Sequence, residues 1–145
     1  MFEVKVTDKG VRASLTKFQT VAVGELLKVI TSLSIQLTAY VKDKKLSGQV
    51  LNVRTGTLRR SITFRVNSLP DKIEGVVGTN LIYAAIHEYG GQFRTRLGTG
   101  KNPPKVGGKP FGTMPERSFL RSSLRENSSN IVRQLNAAIG RATQQ

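Results

Sequence analysis

From Leu15 to Val41, apolar side chains return at spacings of three and four: Leu15, Phe18, Ala22, Leu26, Val29, Ile30, Leu33, Leu37, Tyr40 and Val41. That is the period of one helical face, so the pattern predicts a long amphipathic helix. Thr7 or Asp8 is suited to cap its start, and the lysines of KDKKLSG with Gly48 are suited to end it. Gly24 and the neighbouring Thr and Ser residues weaken helical propensity, which predicts a break in the first turns. Alternation in MFEVKV predicts a short strand at residues 2–6.

The period then changes from helical to alternating. After the Thr55-Gly56 turn signal, Ile62, Phe64 and Val66 alternate with Thr63 and Arg65, which predicts a half-buried strand launched from about Thr57. On that strand Arg59 and Arg60 point to opposite faces. NSLPDK supplies turn residues, and IEGVVGT, Ile73 to Thr79, reads as the returning strand of an antiparallel hairpin. NLIYAAIHEYGG predicts a short helix capped by Asn80 and stopped by Gly90-Gly91. From Gln92 to Pro115 glycines and prolines recur, with Arg94, Arg96, Lys101, Lys105 and Lys109 unbalanced by any acid. This is a long basic loop or arm, with Phe93, Leu97, Val106, Phe111 and Met114 as its sparse apolar anchors. A last helix over Glu116 to Ala142 buries Leu120, Leu124, Ile131, Leu135, Ala138 and Ile139, with Arg117, Arg121 and Arg125 in a stripe beside them. The fold class is therefore α+β: a small antiparallel sheet packed by a long N-terminal helix and a C-terminal helix, with a long arm at about 92–115.

Composition narrows what this fold does. A chain of 145 residues fits a single domain over 1–145. There is no cysteine, which removes disulfides, thiolate zinc sites and cysteine nucleophiles. No run approaches the roughly 20 apolar residues that cross a bilayer, and the N-terminus lacks the apolar run of a signal peptide, so no membrane partner is expected. A net charge of +14 points to something negative nearby, nucleic acid above all. The basic residues are spread along the chain without interleaved aromatics, so contact with DNA would be non-specific.

The one histidine stands in IYAAIHEYGG, directly before Glu88. A zinc-protease helix needs a second histidine four residues on, to put both imidazoles on one face, and that position is Gly91. No Gly-x-Ser-x-Gly elbow is present, and the Gly-Lys pair at Gly100-Lys101 is followed by Asn102 and prolines instead of a phosphate-binding helix start. Neither catalysis nor a metal or other cofactor is expected. In so basic a chain, Glu88 reads instead as an arginine partner, within the subunit or across an interface.

Taken in order, the long helix, VRTGTLRRSI, IYAAIHEYGG, the Gly/Pro-rich basic segment and MPERSFLRSSL resemble the tail-completion, or head-tail joining, proteins of long-tailed bacteriophages. The resemblance covers most of the chain and rests on Thr55-Gly56, Leu58-Arg59 and Ser61-Ile62, on Tyr83-Ala84 with Glu88-Tyr89-Gly90, and on Pro115 with Phe119-Leu120. Two places depart from the family's habit. Gly91 follows the Glu-Tyr-Gly corner where a small polar residue is usual, and three residues separate Pro115 from Phe119.

The resemblance implies a non-enzymatic virion protein, assembled in the host cytoplasm as a ring, with six subunits expected from a six-fold tail. Its place would be the neck or the head-proximal end of the tail. Its partners would be copies of itself, the neighbouring stopper, adaptor, terminator or tail-tube proteins, and passing double-stranded DNA. The arm residues Arg94, Arg96, Lys101, Lys105, Lys109 and Phe111, with Glu88 and Arg117, are the candidate partner contacts. Arg59, Arg60, Arg121 and Arg125 are the candidate DNA-channel contacts. A tail terminator and a non-specific DNA-binding protein are the alternatives.

Overall fold

The structure, a computed structural model, describes residues 9–48, 50, 51, 56–69, 71–94 and 111–144. The architecture is α+β. The first helix, α1, runs from Lys9 to Tyr40. It passes through Gly24 without the expected break, and Thr20 and Thr31 bond back to the carbonyls of Thr16 and Leu27 instead of competing with the helix. It then loosens into a π-turn, Val41–Lys45, closed by the Leu46 N–H on the Val41 carbonyl at 3.1 Å. Gly48, at φ +108°, takes the left-handed stop expected of it. The proposed strand at residues 2–6 and the Thr7 or Asp8 cap lie outside the described residues.

The strand expected from Thr57 is corrected by a short helix, α2, over Thr57–Ser61. Gly56 enters at φ 68°, and its carbonyl accepts the Arg60 N–H at 3.0 Å. Arg59 and Arg60 are therefore neighbours on a helical turn, both exposed, and not on opposite faces of a strand. Strands β1, Thr63–Ser68, and β2, Ile73–Gly78, pair as the expected hairpin. The Leu69 N–H on the Lys72 carbonyl at 2.8 Å closes its turn. Helix α3 spans Ala84–Tyr89, but Asn80 does not cap it: the residue at the N-cap is Tyr83, and no side chain bonds there.

The ends of the expected arm are ordered as a second sheet. Strands β3, Gly91–Arg94, and β4, Phe111–Met114, run antiparallel with Gly91 opposite Met114 and Arg94 opposite Phe111. Residues 95–110, the rest of that segment, lie outside the described residues. The last helix, α4, covers Leu120–Thr143.

The chain divides into two compact units. One holds α1 up to Gln36, Phe64–Val76 of the hairpin and α4 from Asn127. There Leu33, Ala138 and Ala142 are buried, and Arg141 reaches Glu25 at 3.6 Å. β2 lies hard against α1, since a Cβ at Gly75 would come within 2.5 Å of the Ser34 hydroxyl and 3.0 Å of Ile30. The other unit holds Leu37–Thr63 and Val77–Glu126. Its core is Val41, Leu46, Leu51, Ile62, Ala84 and Phe119. Around that core Glu126 accepts from Lys45 and from Tyr40, both at 2.6 Å, and Arg59 bonds Asp43 at 2.8 Å and the Lys42 carbonyl at 3.2 Å.

Two expectations about apolar side chains need amending. Leu124 and Ile139, assigned to the buried side of α4, are about half exposed, at 53% and 47%. Counted by length and composition alone, the stretch Thr16–Lys45 is apolar enough to cross a membrane, contrary to the expectation that no such run exists. A soluble helix with a thick apolar face passes the same test.

Candidate functional site

The first turn of α4 holds no acidic side chain, so its free N–H groups look elsewhere for acceptors. They find Glu88, from the last turn of α3. Glu88 Oε2 accepts the N–H groups of Phe119 at 2.8 Å and Leu120 at 2.9 Å, and Oε1 accepts that of Arg121 at 2.8 Å. The Ser118 hydroxyl donates to Oε1 at 2.8 Å and itself accepts the Ser122 N–H at 3.1 Å. Every amide from Phe119 to Ser122 is thus satisfied by one carboxylate and one hydroxyl, with the negative charge at the positive end of the helix.

Arg121 completes the node from outside. Its Nε lies 3.3 Å from Glu88 Oε1, and its Nη2 donates to the Glu88 carbonyl at 3.2 Å and to Glu116 at 2.7 Å. Its guanidinium sits over the Tyr89 ring at 4.5 Å. The Glu88 side chain is 4% exposed. Burial alone pushes its carboxyl up, but the backbone N–H groups of Leu120, Arg121 and Phe119 and the Ser118 hydroxyl outweigh burial and hold it below the ordinary carboxylate value.

His87 belongs to the same corner. Its carbonyl accepts the Arg117 N–H at 2.9 Å, and its ring meets Tyr83 edge-on with centroids 6.1 Å apart. Nδ1 is buried and has no hydrogen-bond partner among the described residues. Burial first, and then the Arg117 charge, lowers its pKa. Among the described residues no group of acids and imidazole is arranged to hold a metal. Gly90 finishes the corner: at φ +69° its Cα lies so close to the next segment that a Cβ would be 2.7 Å from the Glu116 nitrogen. The His-Glu-Tyr-Gly sequence is a joint between α3, β4 and α4, and its chemistry is consumed in making that joint.

Of the candidate contacts named from sequence, the structure brings Glu88, Arg117 and Arg121 together at this joint and sets Arg94 opposite Phe111 in the second sheet. Arg59 is tied instead to the end of α1. Arg59, Arg60, Arg117, Arg121 and Arg125 are all exposed. Arg96, Lys101, Lys105 and Lys109 lie outside the described residues. Sequence reasoning missed Ser118 and the Tyr40–Lys45–Glu126 group. Ser118, a hydroxyl residue just ahead of the helix, was a legible signal; Glu126 sits 81 residues from Lys45, and no local pattern links them.

Large apolar side chains also remain uncovered: Phe18, Val23, Leu27 and Ile35 on α1, Val132 and Ile139 on α4, and Ile82, which is 95% exposed. A polypeptide that leaves so many apolar side chains in water is built to be covered by something else. Residues 31–140 match the model of the phage virion morphogenesis family. The chain belongs to that family. No curated protein and no solved structure matches it. Membership makes this a bacteriophage protein of virion assembly, and the corner at Glu88 is then a fixed joint in a building block.

Proposed function

We propose that the chain is a non-enzymatic structural subunit that forms a ring, six-fold in a six-fold tail, at the head-tail junction or the head-proximal end of the phage tail. There it completes the tail and joins it to the capsid, against a neighbouring stopper, adaptor, terminator or tail-tube protein. The observation that carries this reading is the family match over residues 31–140, in a chain whose single His-Glu pair is spent on capping a helix. The exposed apolar side chains of α1 and α4 support assembly into something larger. The charge of +14 supports a channel lined by arginines, with Arg59, Arg60, Arg121 and Arg125 exposed and available to phosphates of passing DNA.

The test is a phage carrying a nonsense mutation in this gene. Separate full heads and tails, unable to join until purified protein is added, are expected; normal virions would end the proposal. The charge favours one other reading, a non-specific DNA-binding protein. Tight, steeply salt-dependent duplex binding by a monomer or dimer would favour it over the ring.

A further inference from the structure

Helix α1 is apolar on two sides and packed on one. The side carrying Leu26, Ile30 and Leu33 is half-buried or buried, whereas Val23, Leu27 and Ile35 are 40%, 37% and 51% exposed. At 3.6 residues per turn, this second stripe lies roughly a third of a turn from the first, and Leu27, Thr31 and Ile35 line a shallow groove along it. Helix α4 repeats the arrangement. Ala138 and Ala142 are buried, while Val132 and Ile139 are 55% and 47% exposed, and Ser128, Val132 and Asn136 line a second shallow groove.

Charge decides which stripe fits which. From Phe18 to Tyr40 the only charged residues are Glu25 and Lys28, which pair at 3.0 Å, so this face is neutral in a chain of net charge +14. From Asn127 onward α4 carries Arg133 and Arg141 and no acid. Two α4 stripes laid together would bring the arginines of both copies into one interface. Two α1 stripes would pair without repulsion, but would leave every α4 stripe bare and close at a dimer. An α4 stripe on the α1 stripe of the next copy covers both and adds no net charge to the α1 side.

We infer that the outer face of α1, around Leu27 and Ile35, docks on the outer face of α4, around Val132 and Ile139, of a second copy of this chain, head to tail. The inference rests on the ring reading, because a head-to-tail contact that closes on itself gives a ring. It names the surface by which that ring is held.

The absence of native cysteine makes the test direct. Three variants, Leu27→Cys, Val132→Cys and the double Leu27→Cys/Val132→Cys, are treated with a short bismaleimide at concentrations where light scattering reads the ring mass. The double variant is expected to give a ladder of covalent species up to the ring. An equal mixture of the single variants should stop at dimer, and each single variant alone should stay uncrosslinked. Leu27→Asp should weaken assembly on the order of a hundredfold in concentration, since a carboxylate would have to be buried. Homodimers from Leu27→Cys alone would overturn the inference in favour of a face-to-face contact. A ring that forms without any ladder would overturn it and leave the ring reading standing, whereas a chain that stays monomeric at every concentration would remove both. Binding of the protein to neutral phosphatidylcholine vesicles through α1, blocked by Leu27→Asp, would show that a bilayer covers this face and would also overturn it.

Discussion

The carboxylate of Glu88 accepts the backbone N–H of Phe119 at 2.8 Å, across 31 residues of sequence, and Phe119 is itself fully buried. One acid thereby fixes where α4 begins and seats the largest side chain of that unit's core.

Replacing Glu88 by Ala should cost on the order of 3 kcal/mol, because buried amides at Phe119 and Leu120 lose their acceptor and Arg121 loses its partner. Glu88→Gln keeps an acceptor oxygen and should cost about half as much. The carboxyl is held below its ordinary 4.5, so the stability it contributes is present above that value and is lost as pH falls through the lower, folded value. Urea denaturation should therefore separate wild type from Glu88→Gln clearly at neutral pH, and the two curves should converge in acid. A gap that stays constant down to the acid limit would mean that the charge contributes nothing.

His87 offers a second titration in the same corner, and as the only histidine it gives one unambiguous NMR signal. Its midpoint should lie below 6.5, since burial and then the Arg117 charge disfavour the imidazolium. Folded-state pKa below unfolded means that this contribution to stability is complete above about 6.5 and falls as pH drops through the folded value. Arg117→Ala should move the midpoint up only part of the way, because burial, the larger cause, remains. A midpoint at or above 6.5 in the folded protein would contradict the buried placement of Nδ1.

Gly90 and Gly91 make a paired test of the corner's geometry. Both have positive φ, at +69° and +129°, but a Cβ on Gly90 would meet the Glu116 nitrogen at 2.7 Å and the Met114 carbonyl oxygen at 3.0 Å, whereas a Cβ on Gly91 meets nothing within 4 Å. Gly91→Ala should cost about 1–3 kcal/mol of backbone strain. Gly90→Ala adds a clash with backbone that cannot swing aside, and should cost about 4 kcal/mol or more. Thermal melts that rank the two variants equally would show that the segments can part at little cost.

Where a residue's role was set by its near neighbours, the sequence disclosed it; where the role was set across the fold, it did not. The stripe from Leu15 to Val41 and the alternation around Phe64 are local periodicities, and α1 and the β1–β2 hairpin follow from them. TLRRS alternates well enough to pass for a strand start, yet it is α2, where Arg59 bonds the Lys42 carbonyl and Asp43. Asn80 is a good cap by type and caps nothing, because Thr79 already takes the Leu81 N–H at 3.2 Å. The sequence offered Glu88 as an arginine partner, which Arg121 is, but hid the larger role of capping α4. That role was readable only as a deficit, in the lack of any acid in the first turn of α4. The apolar residues of α1 and α4 were all read as core, because a single-chain periodicity does not distinguish a face packed within the subunit from one left for a partner.

The segment between β3 and β4 gives the last prediction. Arg94 and Phe111 stand opposite each other at the open end of an antiparallel ladder, so the chain can be closed there by an Asn-Gly hairpin turn in place of residues 95–110. Neither the Glu88 joint nor the core around Phe119 draws on the residues removed. The shortened protein should therefore unfold in urea within about 0.5 kcal/mol of wild type, as a change remote from packed structure does. The removed residues include Arg96, Lys101, Lys105 and Lys109, with Leu97 and Val106 as apolar anchors among them. If they dock on a neighbouring neck or tail protein, extracts supplied with the shortened protein should accumulate heads and tails that fail to join, while the full-length protein restores plaque-forming particles. Full complementation by the shortened protein would show that the segment is not the docking element, and its failure to fold would show that the segment belongs to the subunit's own architecture.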